Sequence, residues 1–124
     1  MKIKIIGRVI SKKNSKRIVT NRYSGKRMVL SSKAYERFKE DALTQLLTVK
    51  EKFKGKVHID YIFNIKGKMR IDLDNAIASI NDILQDAGII EDDNLIVSIE
   101  AKKIQGCTEW TTYLKISEVL EVFD

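Results

Sequence analysis

The sequence predicts an α+β domain of two layers, with two main helices packed on a mostly antiparallel or mixed sheet. Three observations lead there. Residues 33–49 and 74–86 repeat apolar side chains at helical spacing. The segments 2–10, 57–65, 95–104 and 110–117 are rich in β-branched and aromatic residues, with alternation clearest in 57–65. Read in order with a hairpin near residue 23, the elements run strand, strand, strand, helix, strand, helix, strand, strand. At 124 residues and 44% hydrophobic, the chain supports one domain over 1–124 with a modest core.

The first strand is K-I-K-I-I-G-R-V-I, and the basic run after it, 11–17, reads as a loop. Ile18–Asn21 and Lys26–Leu30 flank Tyr23-Ser24-Gly25 as a hairpin. Ser31 or Ser32 can cap the first helix by accepting a backbone N–H. That helix carries Tyr35, Phe38, Ala42, Leu46 and Val49 on one face, and Lys54-Gly55-Lys56 ends it. In 57–65, Val57, Ile59, Tyr61, Phe63 and Ile65 share one face. His58 and Asp60 fall on the other, so His58 reads as an exposed strand residue rather than a base. The second helix presents Ile77, Ile80, Leu84 and Ala87, widened by Ala76 and Ile83, and Gly88 is its expected left-handed cap.

Charge divides the chain. Residues 1–56 carry 17 Lys+Arg against 4 Asp+Glu; residues 57–124 carry 6 against 13. No acid precedes Glu36. Lys12, Lys13, Lys16 and Arg17 are candidate phosphate-backbone contacts, and Arg70 is a further one. A solvated lysine-rich surface is the alternative. The apolar runs are too short to span a bilayer, and the charged first ten residues lack a secretory core. A single cysteine, Cys107, allows no intrachain disulfide and reads as a buried thiol, as expected of a cytoplasmic protein.

The chemistry concentrates in R-I-D-L-D-N-A-I-A-S-I-N-D-I-L-Q-D-A-G-I-I-E-D-D-N, residues 70–94. Asp72 and Asp74 precede the second helix; Asp92 and Asp93 follow it. Either of the first pair, or Asn75, would also serve as a plain N-cap. The helix is roughly 20 Å long at 1.5 Å per residue. The chain from 88 to 93 is about long enough, at roughly 3.3 Å per residue, to return alongside it. Convergence is therefore permitted. Clustered carboxylates call for a cation, and Mg²⁺ suits them, with Mn²⁺ as the alternative. A cationic surface beside such a metal points to phosphodiester hydrolysis. An EF-hand is excluded because its glycine position is Ile77, and no Walker-type loop is present. One histidine and one cysteine cannot make a zinc cluster. Glu100-Ala101-Lys102 matches the E-x-K of restriction-type nucleases, a short and common pattern.

The stretch D-L-D-N-(x)₆-D-I-L-(x)₃-G-I-I-E-D-D-N-L-I-V closely resembles the signature of RusA-type Holliday junction resolvases, the crossover junction endodeoxyribonucleases. The core of the resemblance covers about 70–103, and S-K-K-N-S-K-R resembles the basic N-terminal region of that family. It implies a RusA-like fold and a Mg²⁺-dependent homodimer that cuts four-way DNA junctions in pairs during recombination and repair. The essential acids it implies fall on Asp72, Asp74 and Asp93, with Asp92 a helper or turn residue. Asn75 and Asp82 match recurrent positions; Asp82 reads as structural. The family commonly has a lysine where this chain has Ala78. Lys103 is the preferred substitute, ahead of Lys102, Arg70 or an N-terminal basic residue; a strand-surface lysine is its alternative. Two rival functions stay open: a non-catalytic binder of branched or single-stranded nucleic acid, and a nuclease of the same fold acting on flaps or RNA.

Overall fold

The computed structural model describes residues 1–12 and 16–120. Strands β1 (Lys2–Ile6), β2 (Lys16–Thr20) and β3 (Arg27–Ser31) precede helix α1 (Lys33–Gln45); β4 (Val57–Lys66), helix α2 (Leu73–Asp86), β5 (Ile96–Cys107) and β6 (Thr111–Glu118) follow. Four strands form one sheet in the order β1-β6-β4-β5, and β2 pairs with β3 as a separate two-stranded ribbon. β4 runs parallel to β5 and antiparallel to β6, so the main sheet is mixed. A parallel pair needs a crossover, and α2 supplies it between β4 and β5.

Alternation along β4 sets the layers. Val57, Ile59, Tyr61, Phe63 and Ile65 are buried, and the residues between them are not. That apolar face meets Phe38, Ala42 and Leu46 from the first helical segment and Ala76, Ile80, Ile83 and Leu84 from α2 in one continuous core. Both helices therefore cover the same face of the sheet, and among the described residues the opposite face has no helical layer.

The sequence places α1 at 33–49, but regular helix stops at Gln45 and tightens into a 3₁₀ turn, Leu46–Thr48. Gln45 explains the early end. Its amide accepts from the Ile6 N–H (2.8 Å) and donates to the Ile6 carbonyl (2.7 Å), pairing the edge strand β1 instead of continuing the helix face. At the start, the Ser32 hydroxyl accepts from the Tyr35 N–H at 3.1 Å, so Ser32 is the cap. β1 is shorter than its predicted span 2–10, because Gly7 turns the chain at φ +128° while its N–H still reaches the Trp110 carbonyl. Gly88 ends α2 as expected, at φ +74°, with its N–H on the Gln85 carbonyl and that of Ile89 on Leu84. Cys107 is free and half-buried at the end of β5, rather than a core thiol.

Candidate active site

α2 is the axis of the site. Asp72 stands at its N-cap position in an extended conformation, yet its carboxylate makes no capping hydrogen bond. Its carbonyl, not its side chain, receives the Ala76 N–H. The carboxylate is exposed and, among the described residues, takes only a 3.3 Å contact from the Asn75 Nδ2, so it is not consumed by the helix end. Asp74, also exposed, accepts the Asn75 N–H at 2.9 Å. Asn75 itself is buried and steadies both acids. Asp72 and Asn75 line a small cavity of about 300 Å³ with Arg8 and Arg70 among its other walls. The Asp72 carboxylate thus opens beside two guanidinium-bearing residues at the positive end of a helix, where phosphate oxygens are favoured, with Asp74 exposed in the first turn.

Lys103 reaches this end of the helix. Its ammonium donates to the Ile71 carbonyl at 3.0 Å, next to Asp72. The preferred substitute for the missing helix lysine thus touches the residue before Asp72 and, among the described residues, pairs with neither carboxylate. Glu100 and Lys102 of the E-x-K pattern behave differently: both line the uncovered face of the sheet, away from the helices. That removes the restriction-type reading of those residues.

Asp93 is placed elsewhere. It opens a 3₁₀ turn, Asp93–Leu95, whose cap is Asp92; the Asp92 carboxylate accepts from the Asn94 N–H at 2.8 Å, which makes Asp92 the turn residue. The Asp93 N–H donates to the Gln85 side chain at 3.0 Å. Gln85 lies eleven residues beyond Asp74, or roughly 16 Å of helix rise. Among the described residues no group of three or more His, Cys, Asp or Glu is disposed to hold one metal ion. Within one chain Asp72 and Asp74 thus share the helix entrance, and Asp93 docks further along α2. The reason is the short return: 88–93 spends its length burying Ile89 and Ile90 and pairing Phe53 with Ile90, not running back beside α2. Asp74, Ala78, Asn81 and Gln85 recur at helical spacing and form one unburied stripe, with Asp93 docked at its far end.

Of the basic candidates, Lys12 is tied to α2. Its backbone N–H donates to the Ser79 hydroxyl at 3.2 Å, and that hydroxyl donates to the Ile10 carbonyl at 2.8 Å. Its ammonium lies 3.4 Å from Asp82. Lys13 lies outside the described residues. Lys16 and Arg17 enter β2 by their backbone. Arg8 lines the cavity with its guanidinium over the Trp110 ring, 5.9 Å from its centre; it was not singled out because an alternating strand with basic residues on one side gives no cue that one of them borders the site. Ser79 was missed because a serine on an apolar helix face has no signal of its own until its partner loop is known.

Asp82 knits these parts together. It accepts from the Tyr35 hydroxyl at 2.5 Å and from Lys39 at 3.1 Å, and Lys39 also pairs with Asp86. Partial burial pushes the Asp82 pKa up, but the Tyr35 and Lys39 hydrogen bonds and the Lys39 and Lys12 charges outweigh it and hold the carboxyl below its ordinary value. The structural reading of Asp82 therefore fits. The stabilisation is present above the ordinary carboxylate range and is lost as pH falls below about 4. Asp82→Asn is expected to lower the thermal midpoint at pH 7 and to narrow its gap from the parent chain toward pH 3, as melting curves across that range would record. Burial and then Asp82 push the Tyr35 pKa far upward, so its hydroxyl stays a donor.

Fold and site together define a small α+β domain with a carboxylate pair at a helix entrance and cationic residues beside it. A family model described as Endodeoxyribonuclease RusA matches residues 7–117, nearly the whole chain, and the protein belongs to that family. The mixed four-stranded sheet with two helices agrees with that membership. No curated protein matches the chain. No helix among the described residues is long and apolar enough to cross a membrane.

Proposed function

We propose that the protein is a structure-selective endonuclease that cuts four-way DNA junctions as a Mg²⁺-dependent homodimer in the cytoplasm, in recombination and repair. The observation that carries this is the Asp72 carboxylate, exposed at a helix N-cap and excused from capping, beside Asp74 and the Arg8–Arg70 wall. Two hard oxygen donors with room for water and phosphate fit Mg²⁺, which commonly takes one or two carboxylates. A metal held there by Asp72 and Asp74 would lower the pKa of a bound water and offset charge on the scissile phosphate. The chain's own groups do the rest. Arg8 and Arg70 receive phosphate oxygens, the positive end of α2 favours them, and Lys103 holds the approach to Asp72 in place. Asp93, at the other end of the stripe, would face the same DNA strand further along it.

A junction has near two-fold symmetry, and paired cuts need two active sites, which a C₂ dimer provides. A panel of four-way junction, flap, duplex and RNA substrates, run with Mg²⁺ and with chelator, tests the reading. Preferential metal-dependent junction cleavage is expected. Preferential cleavage of flap or RNA would transfer the activity to another substrate, and metal-independent binding without cleavage would leave a binder.

Ala78 offers a gain-of-function check. It is exposed in the middle of the stripe between Asp74 and Gln85. A lysine there would stand over a phosphate lying along α2. Ala78→Lys is expected to raise the single-turnover cleavage rate about three- to tenfold with little change in folding, as quench-flow assays on a labelled junction would show.

A further inference from the structure

The face of the main sheet that no helix covers carries a pattern that is its own complement. Cross-strand register groups its outward residues into rows running β1-β6-β4-β5. One row reads Lys2, Lys115, Asp60, Glu100: two cations followed by two anions. The next has Tyr113 and Ile62 at its centre, and the one after begins with Ile6 and ends with Ile104. Tyr113 is 41% exposed, Ile6 53% and Ile104 43%. The first two rows line an open concavity of about 990 Å³, far larger than the one beside Asp72. Among the described residues, Lys2, Lys115 and Glu100 form no ion pair within the chain.

We infer that this face binds a second copy of the same chain, through a two-fold axis parallel to the strands and between β6 and β4. The inference rests on the homodimer reading above and names its surface. Such an axis lays β1 over the partner's β5 and β6 over the partner's β4. Lys115 then meets the partner's Asp60, and Lys2 meets the partner's Glu100. Tyr113 packs on the partner's Ile62 at the centre, and Ile6 on the partner's Ile104 at the edge. An axis across the strands would superpose β1 on β1 and leave both cations of the charged row without anions. The one discordant pair is Lys4 with Lys102, at the rim, where long side chains can lean outward into water. Lys4 leans inward over the Tyr113 ring, 5.7 Å from its centre, and has to swing outward where the partner's Ile62 takes that place. Aligned sheets cross at about 30°, which moves the edge pairs by a few ångström and the central pairs hardly at all.

The same axis has a consequence for the site. It keeps strand ends together, so both α2 N-termini lie at one end of the dimer. Both Asp72–Asp74 pairs then open toward the same side, as one near-planar junction requires.

Sedimentation of Lys115→Glu, Asp60→Lys and their equimolar mixture tests the inference. Each variant alone should dimerise at least tenfold more weakly than the parent chain, because like charges meet twice across the axis. In the mixed dimer Glu at 115 faces Lys at 60 and the second contact is unchanged, so mixing should restore parental affinity. Any destabilisation inside one chain would persist in the mixture. If the parent chain dimerises and both variants dimerise equally well, another face is the interface and the homodimer reading survives. If the mixture stays monomeric while the parent dimerises, the axis proposed here is wrong. A monomeric parent chain, with and without junction DNA, would overturn this inference and the homodimer reading together, while leaving cleavage to be judged by the substrate panel.

Discussion

Asp74→Asn is expected to reduce Mg²⁺-dependent junction cleavage at least about 100-fold, roughly 2.7 kcal/mol in the barrier. The substitution keeps the side chain's size and one of its oxygens. That oxygen can still accept the Asn75 N–H, so the helix entrance holds. What it removes is one of two negative charges that would hold the metal, and hard cations need charged oxygens more than amide ones. Junction affinity should stay level or rise, because carboxylates beside a phosphate backbone repel it. Single-turnover cleavage and gel-shift titration on the same substrate separate the two effects. Cleavage at the parental rate would remove Asp74 from the chemistry; equal losses of rate and of affinity would make it a binding or folding residue.

The second large effect belongs to the basic segment. Replacing Lys12, Lys13, Lys16 and Arg17 together by Ala is expected to weaken junction binding about 100-fold near 0.1 M salt and to flatten the dependence of log K on log salt by about three to four. Each lost phosphate contact removes about 0.9 from that slope. The Lys12 backbone keeps its bond to Ser79 in this variant, while its side-chain pair with Asp82 is lost. The loss should be similar for junctions of different sequence, because phosphate contacts carry no base information. An unchanged salt slope, measured by fluorescence anisotropy, would show that DNA lies elsewhere.

Local pattern made much of the fold legible, and long-range pairing accounts for the rest. The alternation of Val57 to Ile65 and the stripe Ile80, Ile83, Leu84 predicted which faces are buried, because burial on a strand or helix follows period alone. The end of α1 was not legible: it depends on Gln45 meeting Ile6, thirty-nine residues away. The parallel pairing of β4 with β5 is likewise a property of the crossover, which neither strand announces. At the site, D-x-D-N located the acid pair, but pattern alone could not separate a capping aspartate from a ligand. The absent capping bond at Asp72 now favours the latter. The place of Asp93 in the chain was not legible from pattern alone. Chain length permitted its return, and the burial of Ile89 and Ile90 took that length for the core.

The central claim is that Asp72 and Asp74 together hold the divalent ion. Calorimetric titration with Mn²⁺ as a tighter-binding stand-in for Mg²⁺ tests it without needing turnover. One high-affinity event per chain is expected, weakened at least tenfold by Asp72→Asn and by Asp74→Asn and left near the parental value by Asp93→Asn. Metal affinity untouched by either of the first two substitutions, or lost chiefly with the third, would contradict the account.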